Sequence, residues 1–382
     1  MLSLIRSLAP PLLSLIILIM ASGLFNTFVS IRLELEGYST ETIGAVTSSL
    51  YLGILVGSLK IDAWIARVGH IRAFVILAAL ITIFVLAQAF WIEPWYWCAM
   101  RFLIGVCTAG IFIVIESWLL IQSTPATRGK ILSVYLGAFY GAMLAGQFLI
   151  NLSDPSGVYP FCITAFLSAI SILPILMIRI AEPKMKPEAP RIQLLQLFRI
   201  SPLGFVGGII SGMLLAVVYG LVPVYAKENG MDVSEIGTLM ALIIFGGLCL
   251  QWPMGHLADT GNRRRVLNAA SFLTACFALA IALVDHLHPT LLLCLAWFFG
   301  GFSFTIYPLS MAFACEKLEE HQIISATGCF VLSYGIGAIA GPLIAPLAMN
   351  ALGSPGLFYF LGAITLFLGL IGLKKPCRET FP

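Results

Sequence analysis

The chain has 382 residues, of which 60% are hydrophobic and only 10% charged, with a formal net charge of +3. This balance lies far outside the soluble range and leaves no room for an aqueous catalytic domain. An outer-membrane barrel is excluded too, because its strands would alternate apolar and polar residues, and an open sheet could not satisfy its edges in lipid.

A helix needs about 20 apolar residues to cross ~30 Å of hydrocarbon. Twelve such runs are present, at 9–31, 42–61, 73–92, 95–121, 131–151, 157–178, 202–225, 236–257, 266–284, 290–313, 323–349 and 356–373. They predict an all-α membrane protein. Arg6 followed by Leu12–Met20 mimics a secretory leader, but no small-x-small cleavage site follows and the apolar run continues past Phe28. It is expected to be the first span.

Asn26 lies in that span, and a polar side chain in lipid needs a partner. It either bonds another helix or lines a cavity. Arg32, Glu34 and Glu36 close the span as a solvated rim or as a patch that attracts substrate. In span four, Arg101 is set inside the apolar run and cannot shed its charge. It is a functional candidate, with snorkelling to the nearby interface as the alternative. Glu116 follows fifteen residues later, roughly 22 Å along a helix at ~1.5 Å per residue. That places it within reach of Arg67, Arg72 or Arg128. Tyr140 and Gln147 in span five join the cavity candidates, and Gly137-x-x-x-Gly141 suits close helix contact. Tyr219 in span seven and Tyr307 in span ten face either a ligand or a neighbouring helix. Gly337-x-x-x-Gly341-Pro342 in span eleven can pack closely and bend.

Between spans six and seven, Ala181–Gln193 is polar, basic and rich in proline, as a linker would be. If the N-terminus is cytoplasmic, 18 of the 21 basic residues fall on cytoplasmic segments, with Arg32, Lys227 and Arg101 outside that set. Both termini are therefore expected in the cytoplasm. Trp91, Trp95, Tyr96 and Trp97 would then form an outer aromatic belt. The nine cysteines have no metal-ligand spacing and read as free thiols.

The chain is also written twice. A shift of 193 carries Gly37, Ile43, Gly44, Gly53 and Arg72 onto Gly230, Ile236, Gly237, Gly246 and Arg265. A shift of 200 carries Glu116, Gln122, Thr127, Ser133, Gly137 and Gly141 onto Glu316, Gln322, Thr327, Ser333, Gly337 and Gly341. Two six-helix bundles are expected, at 1–180 and 201–382, joined by a linker at 181–200. The polar stretch GHLADTGNRRR, Gly255–Arg265, reads as a short turn at a membrane surface, and DAWIARVGHIR, Asp62–Arg72, is its degenerate twin.

Gly255-x-Leu257-Ala258-Asp259 with Arg263, Arg264 and Arg265 resembles the signature loop of the major facilitator superfamily. Glu116 through Arg128-Gly129 resembles that family's acid-to-Arg-Gly element. QWPMGHLAD, YPLSMAFACEK and SYGIGAIAGP resemble its YcaD-type bacterial branch. The resemblance implies a fold of twelve helices in two pseudo-symmetric bundles that rock about a central cavity. It implies a gate in which Gly255 allows close approach and Asp259 is held by the start of the eleventh helix and by loop arginines. Asp62, Arg67, Arg72, Glu116, Arg128, Arg263, Arg264 and Glu316 complete the expected gating and coupling set. Departures are Ala66 where the acid belongs, Asp62 in place of the first glycine, Asn262 in a glycine position and Ala142 where an antiporter proline is expected.

These readings point to a secondary active transporter of the plasma membrane that moves a small solute with protons. Glu34, Glu116 and Glu316 are the candidate proton carriers. Lipid is the surrounding partner; no nucleic acid, cofactor or metal is expected, and a monomer is. A phosphate-cradling Gly-rich loop followed by Lys-Ser/Thr is absent, so ATP hydrolysis is not the drive. An intramembrane enzyme would need clustered acids or histidines, whereas His70, His256, His286, His288 and His321 are expected at membrane surfaces. The alternative function is a sensor or partner protein that keeps the fold and moves nothing.

Overall fold

The computed structural model describes residues 2–121, 123, 128–177, 198, 200–283, 289–316 and 320–373, with side chains for all but 2–8, 120, 128, 129 and 320–326. The expected linker at 181–200 lies almost wholly outside the described residues, as does the side chain of Arg128. Twelve helices are long and apolar enough to cross a membrane. They are α1 (Leu2–Leu35), α2 (Thr40–Val68), α3 (His70–Phe90), α4 (Pro94–Ile121), α5 (Arg128–Phe148) and α6 (Tyr159–Ile170, prolonged by Ile172–Leu176). Then come α7 (Pro202–Glu228), α8 (Val233–Thr260), α9 (Arg263–Leu283), α10 (Pro289–Cys315), α11 (Glu320–Leu352) and α12 (Gly356–Leu373). The all-helical expectation is met.

Lipid offers backbone and hydroxyl groups no hydrogen bonds, so spans satisfy their own polar atoms. Thr47, Thr164, Ser271, Thr274 and Thr365 each return their hydroxyl to the carbonyl four residues back, at 2.8–2.9 Å. The outer faces carry exposed Ile83, Phe166, Leu173, Leu347 and Phe367, a surface suited to acyl chains and not to water.

Contacts divide the chain into two compact units, Met1–Glu188 with Ala216–Ala241, and Ala189–Leu215 with Leu242–Pro382. In the first, Phe28, Phe161 and Trp97 are fully buried, with Phe28 and Phe161 edge to face at 4.8 Å. In the second, Leu203, Ile210, Met254, Leu267, Ile306 and Leu368 share one core.

The duplication is visible in backbone geometry. Gly37 and Gly230 both have φ of 79° and end α1 and α7 in the same motif. Gly37 N–H bonds the Glu34 carbonyl and Tyr38 N–H that of Leu33; Gly230 bonds Lys227 and Met231 bonds Ala226. This is the Schellman pair, which needs a residue tolerant of positive φ. Helix contacts repeat as well. α2 meets α4 through Gly53 and Gly105, and α8 meets α10 through Gly246 and Gly300. At each of these a side chain would strike the partner's backbone.

Two expectations are corrected. A side chain added at Gly137 or Gly141 would meet nothing within 4 Å among the described residues, so neither makes a close helix contact there. Gly146 does so instead, against Gly23 of α1, and its counterpart is Gly337 against Ile209 in α7. The repeat in this helix pair is thus offset by 191, from Gly146 to Gly337, and not by 200. The polar stretch 255–265 is also mostly helical: α8 continues through Thr260 and only Gly261 and Asn262 break it.

Candidate substrate cleft and hinges

Three close backbone approaches build one polar spot in the first unit. The α2–α4 contact at Gly53 and Gly105 places Tyr51 and Arg101, each within about one helical turn of its glycine, on adjoining helices. Gly23 against Gly146 draws α1 onto α5, one turn before Asn26. Gly220 of α7 lies on the side chain of Thr47, so any larger residue there would collide. The result is a narrow cleft lined by Asn26, Thr47, Leu50, Tyr51, Arg101, Tyr219 and Gly220, closed too tightly to hold a solute as it stands.

Arg101 is 3% exposed. Its Nη2 donates to Asn26 Oδ1 at 2.7 Å, its guanidinium lies 5.5 Å from the Phe25 ring centre, and its Nε is buried with no partner. The ion pairs resolved among the described residues are Arg32–Glu36 at 2.6 Å and Arg263–Asp259 at 3.4 Å, so no carboxylate neutralises Arg101 there. Asn26 therefore bonds another helix and lines the cleft at once. Snorkelling does not describe Arg101, whose head is enclosed.

The other cavity candidates are placed elsewhere. Gln147 accepts from Thr27 at 2.7 Å and donates to the Gly23 carbonyl at 3.1 Å, a lock between α1 and α5. The Tyr140 ring packs edge to face with Phe139 at 5.4 Å. Tyr307, in the second unit, packs against Phe330 and Tyr334, each at 5.2 Å. Thr47, Tyr51 and Gly220 were not anticipated; the signal for Tyr51 and Thr47 was two polar residues one turn apart inside span two.

At the rim, Arg32 also donates to the carbonyls of Pro155 and Ser156. Asp154 accepts from the Ser156 hydroxyl at 2.7 Å and its N–H at 2.8 Å, which with Arg32 nearby holds this carboxyl below its ordinary range. Trp91 and Trp95 are exposed, as a belt requires, but Trp97 is fully buried and donates to the carbonyls of Trp91 and Gln88. It plugs the end of the bundle and departs from the expected belt.

Of the gating residues, Glu116 accepts from Tyr135 at 2.8 Å, and the side chain of Arg128, one of its three expected arginine partners, lies outside the described residues. Arg67 and Arg72 are exposed, as is Glu316. Asp259 meets Arg263, one turn on, and Arg264 Nε donates to the Gly372 carbonyl at 2.8 Å. His70, the first residue of α3, turns inward: it is 2% exposed and shares a 3.0 Å hydrogen bond with Ser117. Among the described residues no cluster of metal-ligating side chains occurs.

The sequence model of the Major Facilitator Superfamily matches residues 12–228 and, overlapping it, 204–379. The chain belongs to the major facilitator superfamily. It is 33% identical over 374 residues to the "Uncharacterized MFS-type transporter YcaD" of Salmonella enteritidis, covering 97% of this chain and 95% of that one. The protein of the same name from Salmonella newport is 32% identical over the same shares. Two solved structures share the fold at 15% identity. The D-xylose-proton symporter superposes with a TM-score of 0.76 over 97% of this chain and 96% of its own. The nucleoside transporter NupG does so with 0.76 over 98% of each. The resemblance read from the hinge and its flanking phrases is borne out. The chain is a multi-pass membrane transporter of this family and not an enzyme.

Proposed function

We propose that the protein is a secondary active transporter that carries a small solute across the bacterial inner membrane by alternating access, coupled to protons, with both termini in the cytoplasm. The observation that carries this reading is the repeated glycine-packed frame: α1–α5 and α2–α4 in one half, α7–α11 and α8–α10 in the other. A carrier made of two like bundles can rock as rigid bodies around a fixed site. The polar cleft around Arg101 and Asn26 is the site that would bind cargo. The bias of basic residues towards one set of connections supports the orientation. A xylose-proton symporter among the structural neighbours accords with proton coupling.

The test is reconstitution in proteoliposomes loaded with a pH-sensitive dye and exposed to a panel of labelled sugars, nucleosides and small acids. Uptake of one solute that moves protons, steepens with an imposed pH gradient and collapses with a protonophore is the expected result. Uptake indifferent to the gradient would remove proton coupling. No uptake or exchange of any solute by correctly inserted protein would favour the sensor alternative. A reporter fused to the C-terminus should be active only on the cytoplasmic side.

A further inference from the structure

We infer that the cleft around Arg101 is a binding site for a monocarboxylate, and that the carboxylate of the cargo supplies the counter-charge the protein withholds. This rests on the transporter reading, because it names the cargo of the same site. Arg101 is enclosed among spanning helices and no acid pairs with it among the described residues. Among the described residues its hydrogen-bond partner is Asn26 Oδ1, a neutral oxygen at 2.7 Å, and its Nε is buried and unpaired. A carbonyl of that kind satisfies one donor of a five-donor fork and none of its charge. The planar fork matches a carboxylate in two-point contact, which a sugar or a nucleoside hydroxyl does not reproduce.

Size and charge narrow the class further. One cation with tyrosine and threonine side chains around it balances one negative charge and not two. The rest of the lining, Leu50, the rings of Tyr51 and Tyr219 and the Phe25 face beneath the guanidinium, suits a compact apolar or aromatic body. The cleft is closed in this structure, so the ligand would displace Asn26 from Nη2 and take its place. Asn26 is then a placeholder: an oxygen that holds the fork in register between loads without neutralising it.

The experiment uses the detergent-purified full chain and reads its thermal unfolding midpoint with lactate, benzoate, lactamide and benzamide, against sodium chloride at equal ionic strength. A saturable rise with at least one carboxylate, absent with its amide, is expected. Arg101→Ala should lose that rise. Asn26→Asp tests the same point without removing the arginine: an internal carboxylate should leave the ligand-free midpoint as high as in the parent or higher, and still abolish the rise. The inference is overturned if amides stabilise as well as carboxylates, if neither carboxylate stabilises the parent, or if Asn26→Asp keeps the full rise. Exchange of the binding carboxylate in proteoliposomes separates the two readings. Binding without exchange would sink transport and keep the site; exchange of neutral solutes with no carboxylate binding would sink the site and keep transport.

Discussion

The connection from α2 to α3 and that from α8 to α9 occupy equivalent places in the repeat, yet they are held by different physics. Position for position, at an offset of 193, Ala66 corresponds to Asp259, Gly69 to Asn262, His70 to Arg263 and Ile71 to Arg264. In the first, one residue, Gly69 at φ 92° and ψ 156°, turns the chain with no side-chain cap, and His70 goes inside to Ser117. In the second, Asn262 caps α9 by accepting from the Arg265 N–H at 3.1 Å, and Arg264 reaches the Gly372 carbonyl. A buried, hydrogen-bonded anchor thus stands in one half where half-exposed arginine stands in the other. The two connections share one topology: in the first the exposed charges, Arg67 and Arg72, flank a buried His70, whereas in the second the charge stands at the equivalent of His70 itself.

The largest effect should come from filling Gly69. Its backbone sits where only glycine is comfortable, so Gly69→Ala should cost about 1–3 kcal/mol. Gly255→Ala, in α8 where an added methyl would meet nothing within 4 Å, should cost less; equal losses in thermal unfolding would deny the first turn its special conformation. Next is His70→Phe, which keeps a ring in place and deletes the bond to Ser117, at about 1–2 kcal/mol. Arg264→Ala follows at about 1 kcal/mol, from loss of one charge-assisted bond to a half-exposed carbonyl contact. Raising salt should leave the His70 penalty unchanged and reduce that of Arg264.

Most of the fold was legible because lipid permits few solutions. Twelve apolar runs of sufficient length dictated twelve helices, and Gly37 and Gly230 marked the repeat through a backbone angle that few residues adopt. Packing was less legible. Gly137 and Gly141 match the small-xxx-small pattern as well as Gly146 does, but only the latter faces another helix. Identity of residues at a fixed offset misled there, since helices five and eleven have slipped relative to the frame of the rest. At the site, Arg101 and Asn26 stood out because polar groups in lipid are costly, and that cost is indifferent to which neighbour relieves it. Tyr51, Thr47 and Gly220 were hidden because tyrosine, threonine and glycine are ordinary in spans, and only the meeting of α2 with α7 gives them a role. Trp97 and His70 escaped for a related reason: position near a helix end is readable, but whether the side chain turns inward depends on the partner helix.

The smallest stability effect is expected at Asp259, and that is what makes it informative. Its contact with Arg263 spans one turn at 3.4 Å, with the carboxylate side chain 71% exposed. Exposed pairs at this spacing contribute only about 0.3–0.5 kcal/mol. Asp259→Asn should therefore leave unfolding nearly unchanged, while Ala66→Asp in the first copy should be equally mild. Transport should respond differently. If Asp259 is the polar latch of the proposed cycle, the asparagine variant should slow solute exchange several-fold, and Ala66→Asp, by restoring the missing acid, should alter the rate of the opposite half. An unchanged exchange rate in both would mean that the charged turn merely orients the chain in the membrane. The asymmetry between the two connections would then be a record of drift and carry no part of the cycle.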